Sequence, residues 1–149
     1  MSSNANFQGE RKTGGSLGLA AWQIICLAFG ANAQEFKASP IGDEALIITA
    51  RFAWWEVNMA VPAAGDGLVV VDTLYHPAAA RRARELIRTW SDRPIRYVIN
   101  THHHADHAFG NNEFREALII GHSRCPAGMK SEMARQLQSC RRLLPELEG

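Results

Sequence analysis

The chain has 149 residues, a formal net charge of +1, 46% hydrophobic residues and 21% charged ones. That length suits one domain with a modest core. The near-neutral balance gives no footing for nucleic acid or an anionic membrane as partner. Arg81-Arg82 and Arg141-Arg142 fall in helical stretches and read as solvated faces.

Residues 1–33 carry the three parts of an export signal. Arg11 and Lys12 are its positive start, Leu17 to Phe29 its apolar run, and Ala31-Asn32-Ala33 an A-x-A cleavage pattern that makes Gln34 the first mature residue. The alternative is an uncleaved anchor, but a membrane-spanning helix needs about 20 apolar residues and this run is shorter. The expected location is therefore periplasmic or secreted, with no stable membrane insertion after cleavage. Cys125 and Cys140 are the cysteines left in the mature chain. In an oxidising compartment they either pair or serve as two separate small apolar residues; without a CxxC spacing they do not form a zinc ribbon.

Residues 34–45, with Pro40 and Gly42, read as an extended lead-in. Ala45 to Phe52 reads as a strand, and Glu56 to Val61 as a second strand ended by Pro62. Residues 63–67 contain Asp66-Gly67, a strong hairpin signal. Leu68-Val69-Val70-Val71 is a short β-branched run of the kind buried on both faces. Pro77 opens a helix to about Trp90, with Ala79, Ala83, Leu86, Ile87 and Trp90 on one face. Ile95 to Ile99 follows as a strand, and a strand–helix–strand unit makes its two strands parallel. Leu118-Ile119-Ile120-Gly121 reads as a third core strand, and Met129, Met133, Leu137, Cys140 and Leu144 mark a long amphipathic helix whose Met stripe is packing. Phe52, Trp54 and Trp55 read either as a flap over a site or as sheet-face packing, the second being the commoner use of strand aromatics.

Four of the six histidines lie in His102-His103-His104-Ala105-Asp106-His107. The loop follows the carboxyl end of a strand, where open α/β sheets place ligands. His102 and His104 are two apart, so in extended backbone they point the same way and can share an ion, while His103 points the other way. Asp106 and His107 follow and can reach a second ion. Imidazoles with a carboxylate suit Zn²⁺, with Fe or Mn as alternatives if more oxygen ligands join.

Thr101 to His107 resembles the T-H-x-H-x-D-H signature of the metallo-β-lactamase superfamily. Val69-Val70-Val71-Asp72-Thr73, the Arg96-to-Asn100 strand, Gly110-Asn111 and Ile119-Ile120-Gly121-His122 are similar to the family's flanking segments, so the resemblance covers about residues 45–145. It implies an α/β fold, the αββα sandwich, of which this chain would carry the first half. It implies His102 and His104 on a first zinc, Asp106 and His107 on a second, and Asp72 orienting a loop histidine by hydrogen bond. The family's activity is metal-assisted hydrolysis of a small-molecule ester, amide, thioester or phosphoester. Asp106 would accept a hydrogen bond or a proton from the attacking water.

The family's later ligands, a further His, a bridging Asp or Cys and a last His, have no counterpart in the chain. His122 falls where members carry a non-ligand histidine, and His76 reads as a pre-helix residue. The expected situations are a truncated reading of a longer enzyme, a half that pairs with another chain or with itself, or a remnant. The first accords best with a complete set of first-half ligands.

Overall fold

The computed structural model describes residues 35–52 and 55–147, with side chains through Ser139. The expected export signal, Trp54, and the side chains of Cys140 and Leu144 lie outside what is described. Six strands form one mixed sheet: β1 (Glu35–Ile41), β2 (Ala45–Arg51), β3 (Glu56–Ala64), β4 (Gly67–Val71), β5 (Ile95–Asn100) and β6 (Leu118–Gly121), hydrogen-bonded in sequence order. The helices are α1 (Pro77–Trp90), the short α2 (Ala105–Ala108) and α3 (Cys125–Leu147), with a 3₁₀ turn at Asn111–Phe114.

The first four strands are antiparallel, as short turns dictate. The β3–β4 hairpin closes on the pair Ala64–Gly67, and its tip uses Gly65, whose φ of 58° is left-handed and suits a residue without Cβ. The crossover through α1 makes β4 and β5 parallel, and β6 is parallel to β5.

Alternation decides the two faces of the sheet. Leu46, Ile48, Val57, Met59, Val61, Leu68, Val70 and Val98 point to one side, where Ala79, Ala80, Ala83 and Ile87 of α1 close the core. Pro77 begins α1, and His76 caps it by accepting the Ala79 N–H at Nδ1, 3.2 Å away. The opposite face is also apolar toward β6. There Tyr97 is registered with Leu118, and Ile99 with Ile120. These side chains are 44%, 63%, 38% and 44% exposed, in that order.

Three expectations change. Residues 35–41, expected as part of an extended lead-in, are a full strand paired with β2. Strand β3 runs through Pro62. The proline is tolerated because the ladder to β4 is interrupted between Ala60 and Ala63, so its missing N–H breaks no bond there. Strand β6 is the outer strand and is exposed along its whole length, so it is not a core strand. Phe52 is buried and stacks on Trp55 at 4.4 Å, which is packing. Cys125 is a buried free thiol.

Candidate metal centre

The parallel pair β4–β5 ends in two adjacent loops, and the candidate side chains gather there. Asp72 follows β4 directly with φ of 64°, and Leu74 two residues on has φ of 66°. Left-handed backbone at a bulky residue such as leucine is uncommon and costs on the order of 1–3 kcal/mol. The chain is held in it by close packing: Thr73 N–H donates to the His107 carbonyl at 2.7 Å, and Gly110 N–H donates to the Leu74 carbonyl at 3.3 Å. A Cβ on Gly110 would lie 1.9 Å from the Thr73 carbonyl oxygen, so the backbone approach requires glycine.

This strained turn aims the Asp72 carboxylate, which is 5% exposed, at the histidine loop. Its Oδ1 accepts the Thr101 N–H at 2.8 Å. Its Oδ2 accepts the Thr101 hydroxyl at 2.8 Å and lies 2.7 Å from His107 Nδ1. A carboxylate accepts, so Nδ1 of His107 carries a hydrogen and Nε2 is the nitrogen turned to the candidate centre. Nε2 lies 3.2 Å from Asp106 Oδ2. The same logic reaches His102. The single hydroxyl hydrogen of Thr101 is committed to Asp72, so toward His102 Nδ1, 3.0 Å away, the oxygen accepts. His102 then also carries its hydrogen on Nδ1 and offers Nε2. Burial first, then the neighbouring His107 and His104 rings, hold the His102 imidazole below the ordinary histidine pKa, against the pull of Asp72 and Asp106. The neutral form is the one that binds metals.

A second network lies beneath. Asn100 and Asn111 exchange amide hydrogen bonds at 2.8 and 3.1 Å, and the Thr73 hydroxyl donates to Asn111 Oδ1 at 2.8 Å. These residues fix the loop from three elements. Among the described residues, no buried side-chain polar atom lacks a partner.

The rings converge. His102 lies 4.2 Å from His107 and 4.7 Å from His104, centroid to centroid. His102 and His107 are half-buried and His104 is exposed. The donors fit zinc in kind, as neutral imidazole nitrogens with a carboxylate. Among the described residues no three His, Cys, Asp or Glu side chains surround one ion position. His122 lies outside the cluster and is exposed, its Nδ1 accepting the Arg124 N–H at 3.2 Å. Sequence reading did not single out Thr101, Asn100, Asn111 or Thr73 as parts of the site. All four do lie in the segments that carry the resemblance.

The model of the metallo-beta-lactamase superfamily matches residues 53–145, well over half of the chain. Among solved structures, the FIM-1 metallo-beta-lactamase of Pseudomonas aeruginosa in its mono-zinc form is 19% identical with a TM-score of 0.57, over 65% of this chain and 46% of that one. A metallo beta lactamase from Hirschia baltica is 19% identical with a TM-score of 0.54, over 68% of this chain and 48% of that one. One from Erythrobacter litoralis is 17% identical with a TM-score of 0.58, over 66% and 46%. At these identities the likeness is one of fold, and this chain spans a little under half the length of these relatives. The mixed sheet, the loop at the ends of β4 and β5 and the family match agree: the chain belongs to the metallo-β-lactamase superfamily.

Proposed function

We propose that this chain carries the loop-side half of the metal centre of an exported, zinc-dependent hydrolase acting on a small-molecule ester, amide, thioester or phosphoester. The observation that carries this reading is the Asp72 carboxylate, which sets the hydrogen-bonding state of His107 directly and of His102 through Thr101. Such outer partners raise the basicity of a ligating imidazole and hold its ring in place. His102 and His104 would hold one ion, and Asp106 and His107 a second, with iron or manganese as alternative ions. A zinc ion held there would supply Lewis acidity and bring the pKa of its bound water down toward neutrality. Asp106, partly exposed beside His107, is the group able to accept a proton from the attacking water.

Two donors per ion are fewer than the three protein ligands of a catalytic zinc. The remaining ligands would come from a unit covering the open face at Tyr97, Ile99, Leu118 and Ile120, either further polypeptide of the same protein or an associating chain. A second reading is a metal-binding half-domain that does not itself catalyse, supported by a donor set that stays below three around any one position among the described residues. Zinc per chain after dialysis, with His102→Ala/His104→Ala as control, tests the metal reading. About one or two ions lost in the control supports it; equal zinc in both chains overturns it. Turnover of a chromogenic ester, thioester or β-lactam that depends on His104 separates hydrolase from binding module.

A further inference from the structure

Three loop histidines face the candidate centre, whereas His103 is turned toward α3. Its ring centroid lies 6.4 Å from that of His102. It meets the first turn of the long helix at Gly128. A Cβ built on Gly128 would lie 2.5 Å from His103 Cγ, 2.7 Å from Cδ2 and 2.9 Å from Cβ. These are the inner atoms of the side chain, so rotating a flexible tip cannot relieve the clash. A glycine inside a helix is unfavourable relative to alanine, and this contact gives it a purpose. A second tie holds the same helix nearby: the Tyr75 hydroxyl donates to Gln136 Oε1 at 3.4 Å, and Gln136 Nε2 donates to Glu132 at 3.0 Å. Tyr75 belongs to the β4–α1 connection that also carries Asp72, and it packs edge-on against Trp55 and Phe52.

We infer that His103 is a positioning residue and not a ligand: its ring seated on Gly128 is the latch by which α3 fixes the exposed end of the metal loop. Alternate residues of the loop then do different work, His102 and His104 toward the ion and His103 toward the helix. The metal side of this inference rests on the proposed zinc site; the steric side does not.

The test uses the full chain and three variants, Gly128→Ala, His103→Ala and the pair together. Two readouts are taken, the unfolding midpoint without metal and the zinc dissociation constant by chelator competition. If Gly128 were an ordinary helical residue, alanine would raise the midpoint by roughly 2–4 °C. The latch demands the opposite sign in the wild-type background and the ordinary sign once His103 is alanine. Zinc binding should weaken about 10-fold in Gly128→Ala, with His103→Ala and the double variant alike and intermediate. Should Gly128→Ala fail to fold, folding of the double variant supports the latch and its failure overturns it. A raised midpoint for Gly128→Ala, or effects that simply add, overturns it as well, and so does a zinc loss in His103→Ala as large as in His102→Ala. If wild type binds no zinc, the metal side of the inference falls while the sign of the midpoint change still decides the latch.

Discussion

The two ends of the histidine loop are held in different ways. At the His107 end the side chain is tied to a buried carboxylate, the backbone carbonyl receives the Thr73 N–H at 2.7 Å, and Asn100, Asn111 and Thr73 close a polar network around it. At the His104 end the ring is exposed, and its ring neighbours are His102 and His103 at 4.7 and 4.9 Å. One end is preorganised by groups of the sheet and the other leans on α3. Fixed donors lose less freedom on binding an ion, whereas loose donors must be ordered by it. The difference therefore predicts which substitutions disturb folding, which disturb metal binding, and which disturb both.

The largest effect belongs to Asp72→Ala. It strands the Thr101 N–H, the Thr101 hydroxyl and His107 Nδ1 in a part-buried setting, and it puts an alanine at φ of 64°. Each stranded donor costs about 1–3 kcal/mol if water does not reach it, so a loss of about 3 kcal/mol in denaturant unfolding is expected. Zinc affinity should drop about 10- to 100-fold, the usual consequence of losing a partner of a ligand histidine. Near-normal stability would mean that the preorganised end is no firmer than the exposed one.

Much of the site could be read in the sequence because its signals are local. The histidine spacing, the β-branched run ending in Asp72 and the Pro77 start of α1 each depend on residues next to one another. What could not be read is non-local or contradicts a local rule. The bond between Thr73 and Asn111 joins residues 38 apart, and no periodicity announces it. Strand β1, EFKASPI, alternates Phe36, Ala38 and Pro40 with Glu35, Lys37 and Ser39, but Pro40 and the nearby Gly42 read as a lead-in, and pairing with β2 makes it a strand. Leu118 to Gly121 reads as core by hydrophobicity, yet burial depends on a covering layer, and the strand is exposed. The contact between Gly128 and His103 joins residues far apart in the chain, and no local signal announces it.

A matched pair of truncations separates the two ends at intermediate magnitude. His107→Ala removes a ligand candidate and leaves Asp72 without its ring partner, so the metal-free chain should lose about 1–3 kcal/mol. His104→Ala removes an exposed ring and should leave metal-free stability within about 0.5 kcal/mol. Both should lose zinc in the same competition assay. Equal destabilisation of the two metal-free variants would erase the distinction between the ends. Retention of zinc by His104→Ala would remove it from the ligand set.

The smallest effect concerns how α3 is held beside the exposed end. Hydrogen bonding to Arg135 holds the Glu132 carboxyl below the usual carboxylate range, with burial opposing and Gln136 adding to the shift. A carboxyl with a lowered folded pKa stabilises the fold above its unfolded value, near 4.3, and loses that contribution as pH falls through the folded value. Arg135 is exposed, so solvent screens the pair and the gain is small. Glu132→Gln should therefore lower the unfolding midpoint at pH 7 by only about 1–2 °C, and the gap from wild type should close as the solution is taken to about pH 3–4. A gap that stays constant with pH would assign Glu132 to neutral hydrogen bonding with Gln136 rather than to its charge. A gap far larger than an exposed pair can supply would mean that this stretch of α3 bears on the loop through more than the His103 contact, and that the exposed end is less dependent on the latch.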